Sequence, residues 1–152
     1  MRILVTLSFI TLVTAVRIVP MNLRKSWVKL AAPHYTYCLC KSDVKEDYAS
    51  RVFLYTEFPN DRRLKRYLEC ISMKLNLMEA ATGAWNEKEF IRQVGGVTAK
   101  IIAMCNEDGK GEVDLPQKAY NMFLCIAVTL AVDEKWDRRQ SDRKEFEGKI
   151  CL

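Results

Sequence analysis

Six cysteines are the residues of this chain best suited to chemistry: Cys38, Cys40, Cys70, Cys105, Cys125 and Cys151. Thiols can hold zinc, cycle through redox states or cross-link. No Cys-x-x-Cys occurs and the single histidine is His34, so the closed Cys/His set of a tetrahedral zinc site is missing. Six cysteines allow 15 pairings, and spacing alone does not choose among them. A second candidate is the stretch Asn106, Asp108, Lys110, Gly111, Glu112, Asp114, which mimics part of a calcium loop, with its glycine sixth and Val113 eighth. Its fifth position is Lys110 and its twelfth is Gln117, where a bidentate Glu is needed. Pro116 also interrupts the entry to the next helix, so Asn106–Pro116 reads as a turn-rich loop. His34 lies in an aromatic setting with no Asp or Ser signature beside it. Nucleophile elbows, phosphate loops and metal motifs are all missing. The reading is a non-enzyme with no cofactor and no metal.

Which thiol chemistry applies depends on the compartment. Residues 1–15 carry a positive start at Arg2, an apolar run from Ile3 and a small residue at Ala15. This is the pattern of a secretory signal, with Val13 and Ala15 as the small residues before the cut. The run is shorter than the roughly 20 residues a spanning helix needs. All six cysteines lie beyond it, so an even count in an oxidising compartment points to a disulfide framework. The expected organisation is a signal over 1–15, one helical domain over 16–132 and a charged tail over 133–152. Removing the signal takes only Arg2 among the charged residues, and the net charge falls from +5 to +4. That mild basicity, interleaved with acid, is not the footprint of a nucleic-acid binder.

The elements that would position these cysteines are helices. Trp27, Ala31, Tyr35 and Cys38 form one stripe, which Pro33 should kink. Ser42 or Asp43 can cap a helix presenting Val44, Tyr48, Val52 and Tyr55, ended by Pro59. Asn60 or Asp61 can cap the clearest amphipathic stretch, with Leu64, Tyr67, Leu68, Ile71 and Leu75 on one face. Thr82-Gly83 marks a turn. Asn86 caps a short helix with Phe90, Ile91 and Val94, closed by Gly95-Gly96, and Thr98 opens one with Ile101, Ile102 and Cys105. A last helix carries Ala119, Met122, Phe123, Ile126 and Leu130. The fold class is all-α, a compact bundle of about six short helices.

Two segments are more specific. Phe58-Pro59-Asn60-Asp61 leads into Leu64-Lys65-Arg66-Tyr67-Leu68-Glu69-Cys70, and Pro116 opens a segment with Ala119-Tyr120-Asn121-Met122-Phe123-Leu124-Cys125. Both resemble signature helices of the insect odorant-binding proteins. In that family a cysteine stands where this chain has Arg66 and another where it has Pro116, and the two are bonded to each other. The joint loss is similar to the minus-C subgroup. The resemblance covers roughly residues 20–132. It implies the bridges Cys38–Cys70 and Cys105–Cys125, an internal apolar cavity, and a secreted role in carrying odorant- or pheromone-like molecules. It implies a small apolar ligand and a membrane chemoreceptor as partners, no nucleic acid, and a monomer or weak dimer. Cys40 and Cys151 fall outside the pattern. They would form a third bridge tying the tail to the first helix, or leave Cys40 free and apolar, or let Cys151 bond between molecules.

With that resemblance, the inward stripes become candidates for the ligand-binding wall: Val52, Tyr55, Leu68, Ile71, Leu75, Phe90, Ile101, Met122, Phe123, Ile126 and Leu130. Taken singly, each also reads as plain core. Tyr35, Tyr48, Tyr55 and Tyr120 could each supply a hydroxyl to orient a ligand. With one histidine, no strong histidine switch is expected. A rival reading uses the same fold. Arg62, Arg63, Lys65 and Arg66, with Arg138, Arg139, Arg143 and Lys144 of the tail, could serve a saliva-type relative that sequesters host mediators or binds anionic polymers.

Overall fold

The computed structural model describes residues 17–133. The signal segment, Cys151 and the charged tail lie outside them. The described residues form seven α-helices: α1 (Met21–Ala31), α2 (Tyr35–Ser42), α3 (Glu46–Leu54), α4 (Arg62–Lys74), α5 (Glu87–Gln93), α6 (Ala99–Asp108) and α7 (Leu115–Leu130). A 3-10 turn over Ala32–His34, with Pro33 in it, joins α1 to α2. Proline removes a donor and crowds the preceding turn, so the expected kink is there. If the kinked Met21–Ser42 segment counts as one helix, the total is six. Two short strands, β1 (Arg17–Ile18) and β2 (Val132–Asp133), pair antiparallel, Ile18 opposite Val132.

Local chemistry sets most helix starts as expected. Asp61 accepts from the Arg63 and Leu64 amides at 2.8 and 3.1 Å, a cap of the kind that stabilises by about 1 kcal/mol. Burial raises the Asp61 pKa, but those two amides and the charges of Arg63 and Lys45 outweigh it, and the carboxyl ends below its usual range. Asn86, Thr98 and Asp114 cap α5, α6 and α7.

Two expectations fail. Neither Ser42 nor Asp43 opens α3. Ser42 ends α2 with its hydroxyl donating to the Cys38 carbonyl at 2.8 Å, and Asp43 closes it in the left-handed conformation. A short polar residue tolerates that conformation well, so the pair does C-terminal rather than N-terminal work. The expected Asn106–Pro116 loop is also shorter, because Asn106 and Asp108 belong to the last turn of α6. They therefore do not sit in a loop that could wrap a calcium ion.

The core runs through the middle of α4 and α7, the most extensively packed helix pair. Leu64, Tyr67, Leu68, Ile71, Phe90, Ile102, Met122 and Ile126 are buried there. Two disulfides bind this core: Cys38–Cys70 joins α2 to α4, and Cys105–Cys125 joins α6 to α7. They are the two pairings that the resemblance implies. Cys40 is exposed on α2 and forms no disulfide among the described residues. Arg24 is buried and donates to the Val19 carbonyl at 2.7 Å and the Leu54 carbonyl at 2.5 Å. That fastens the N-terminal segment and the end of α3 to α1.

Candidate functional site: an apolar void between five elements

A small void lies where α1, α3, α4, α7 and the segment from residue 75 to residue 98 converge. Trp27, Leu30 and Ala31 line it from α1, Phe53 from α3, Ile71 and Leu75 from the end of α4, Leu77 and Val94 from the linking segment, and Phe123 from α7. Every lining residue is apolar. Its volume is about 10 Å³, which is about the minimum for one water molecule. A drug-sized ligand takes a site of roughly 300 Å³ or more. The void is therefore too small for such a ligand in this conformation.

Aromatic rings build one wall. Phe123 meets Phe53 edge to face at 6.0 Å and Phe90 at 6.3 Å, and Phe90 meets Trp85 at 5.3 Å. Such ring pairs contribute about 0.5–1.5 kcal/mol beyond the area they bury. The only polar atom on a lining side chain, Trp27 Nε1, donates to the Gly95 carbonyl at 2.9 Å. Gly95 and Gly96 let α1 lie close: a side chain at Gly96, which has φ +84°, would meet Leu23 at 2.8 Å.

The disulfides divide the wall into two parts. α4 is bonded to α2, and α7 to α6. No bridge crosses α1 or the 75–98 segment among the described residues. Trp27, Leu30, Ala31, Leu77 and Val94 lie on elements that no described disulfide joins, whereas Ile71 and Phe123 lie on bridged helices.

Of the eleven expected wall residues, the structure brings Ile71, Leu75 and Phe123 to the void. Val52, Leu68, Phe90, Met122 and Ile126 are buried core outside its lining, and Ile101 and Leu130 are only partly buried. Tyr55 is contradicted. It follows the last residue of α3, is 53 % exposed, and lies beside the Arg51 guanidinium. The helix ends at Leu54, so the turn that would have carried Tyr55 inward is missing, and Phe53 faces the core instead. Trp27, Leu30, Ala31, Phe53, Leu77 and Val94 were missed as wall residues. Trp27 and Ala31 lay on a legible stripe; Leu77 follows a left-handed residue, Asn76, and carried no periodic signal.

The orienting hydroxyls also differ. Tyr120 donates to the Phe58 carbonyl at 2.6 Å and so is already used. Tyr48 is partly buried with Lys45 over its ring, and Tyr55 is exposed beside Arg51. Among the described residues, Tyr67 Oη is fully buried and has no hydrogen-bond partner. A buried hydroxyl left unmatched costs about 1–3 kcal/mol. Burial, and less so the neighbouring Tyr35, push its pKa above the ordinary tyrosine range, so it remains protonated.

The basic cluster on α4 is split. Arg62 and Arg66 are exposed, whereas Arg63 lies within 3.9 Å of Asp43 and 3.8 Å of Asp61. Lys65 sits over the Tyr120 ring. The tail's basic residues lie outside the described residues.

Residues 22–128 match the model of the PBP/GOBP family. The chain belongs to the PBP/GOBP family. Members of this family are pheromone- and odorant-binding carriers, secreted and soluble, and not enzymes. No curated protein matches the chain. For this PBP/GOBP member, the helical bundle with its two disulfides is consistent with the family's fold. No helix among the described residues is long and apolar enough to cross a membrane.

Proposed function

We propose that this protein is a secreted carrier that takes up a small apolar molecule at the void between α1, α4 and α7. The observation carrying this reading is a wholly apolar void with Ile71 and Phe123 on disulfide-bridged helices and most of the remaining wall on elements without a described bridge. A ligand enters as Trp27, Leu30 and the 75–98 segment move outward, with α4 and α7 as the fixed base. Met73 and Met78, next to the wall, can repack as it moves. A guest burying about 250 Å² of apolar surface gains roughly 6 kcal/mol from burial, which corresponds to a Kd in the tens of micromolar when the opening cost is small. Residues 1–15 act as the export signal in this reading.

The test is a titration with the apolar fluorophore N-phenyl-1-naphthylamine. Saturable one-to-one binding in the micromolar range, with a blue-shifted emission, is the expected result. A fluorophore that stays in water removes the carrier reading.

The chain also fits the minus-C type, with Arg66 exposed on α4 and Pro116 in the first turn of α7. Arg66→Cys plus Pro116→Cys would close a loop of about 50 residues, a gain near 4 kcal/mol if the geometry allows it. The oxidised double variant is expected to melt roughly 10 °C or more above the parent. No rise in Tm under oxidising conditions would remove the assignment of these positions as a lost pair.

A further inference from the structure

Of the nine residues that line the void, eight are buried and Leu30 is partly exposed. The void therefore comes nearest to solvent at the last turn of α1. Two features bracket that turn. Upstream, buried Arg24 donates to the Val19 and Leu54 carbonyls and fastens the first half of the helix. Downstream, the 3-10 turn with Pro33 interrupts it. Between them α1 presents Trp27, Leu30 and Ala31 to the void. A hydrogen bond crosses from this stretch to the 75–98 segment: Trp27 Nε1 donates to the Gly95 carbonyl at 2.9 Å. The glycine permits the approach, since a side chain at Gly95 would come within 2.7 Å of Ser26 Oγ on α1.

We propose that the Trp27–Gly95 hydrogen bond is a latch. It holds α1 against the 75–98 segment while the void is empty, and it breaks when an apolar guest widens the void, with Leu30 as the seal at the entrance. This rests on the carrier reading above and adds how entry is controlled. The donor belongs to a ring that lines the void, and the acceptor follows Val94, a lining residue on the facing segment. No described disulfide joins these two elements, so widening between them meets this bond rather than a covalent tie. The surroundings are apolar, which strengthens a satisfied hydrogen bond and makes its loss count. A guest must offset that loss, so apparent affinity falls by the fraction of molecules already unlatched. The latch thus slows entry and disfavours guests too small to make up for it.

The experiment follows the latch directly in the full, oxidised chain. In the empty protein, nuclear magnetic resonance should show a through-space contact between the Trp27 indole proton and the Gly95 α-protons. At saturation with N-phenyl-1-naphthylamine that contact should vanish. Trp27→Phe keeps an aromatic ring and removes the donor. In stopped-flow mixing it should bind the fluorophore with an association rate roughly fivefold higher and a dissociation rate within about twofold of the native value. Ile71→Val also enlarges the void, but from a bridged helix with the latch intact, and both of its rates should stay within about twofold. If the fluorophore binds and the indole contact persists at saturation, the latch falls and the carrier reading stands. An association rate unchanged in Trp27→Phe has the same meaning. If that variant does not fold, the contact in the native protein decides alone. If the native protein binds no fluorophore, both readings fall.

Discussion

Replacing Cys38 and Cys70 together by alanine is expected to lower stability by about 4 kcal/mol and Tm by roughly 15 °C. The bridge closes a loop with a sequence separation of 32, and restricting a loop of that size in the unfolded chain stabilises by about 4 kcal/mol in the chain-entropy account. For a domain of this size, each kcal/mol moves Tm by about 4 °C. Cys38 and Cys70 are both buried, so alanine leaves no polar atom behind. In the proposed carrier, the same bridge holds α4 against α2. Its loss should therefore weaken fluorophore binding at a temperature where the variant is still folded. The Cys105–Cys125 bridge has a separation of 20, and its removal should cost less, about 3 kcal/mol. Thermal melts monitored by far-ultraviolet circular dichroism give both numbers. A drop below about 5 °C for the Cys38/Cys70 variant would show that the staple does not hold the fixed wall.

Phe123→Ala is expected to cost about 3–5 kcal/mol and yet bind bulky apolar ligands more tightly. The cost follows from removing a buried ring and leaving space behind it. Phe123 is nearly buried and touches both Phe53 and Phe90. The gain follows from position: this ring is part of the void wall, so its removal enlarges the void. Ile102→Ala is the control, since Ile102 is fully buried on α6 and does not line the void. It should lose stability without any gain in affinity. The pair is read by chemical denaturation for stability and by fluorophore titration for binding. Added ligand should restore Phe123→Ala stability in proportion to the logarithm of its concentration. If Phe123→Ala bound bulky ligands no better than the parent, the void would not be the ligand site.

The helices were legible where one side of the segment was decided by local chemistry. Asp61 and the spacing of Leu64, Tyr67, Leu68 and Ile71 specify α4, and the expected start and face both agree with the structure. Pro33 gave the kink. The stretch from Ser42 to Tyr55 was misread because a serine and an aspartate satisfy a helix end as well as a helix start; the left-handed Asp43 decides it, and no periodicity carries that information. The helix, expected to run on to Pro59, ends at Leu54, so Tyr55 lies beyond it and Phe53 stands at the wall. The two disulfides were not derivable from spacing and came from the resemblance alone. The void was the least legible feature. It is a meeting of side chains from five elements, including Leu77 after a left-handed turn, and depends on distances between helices that no single stripe encodes. Tyr67 shows the same limit from the other side. In the sequence it is one more member of an apolar face, and only three-dimensional packing shows that its hydroxyl has no partner.

The most direct test is to map where an apolar guest sits. Methyl resonances of the full, oxidised chain recorded with and without saturating N-phenyl-1-naphthylamine should change most at Leu30, Leu77, Val94, Ile71 and Leu75. Ile102 on α6 and Val128 on the exposed face of α7 should stay in place. Shifts confined to surface methyls, with those of Leu30, Ile71 and Val94 unmoved at saturation, would contradict a chamber between α1, α4 and α7.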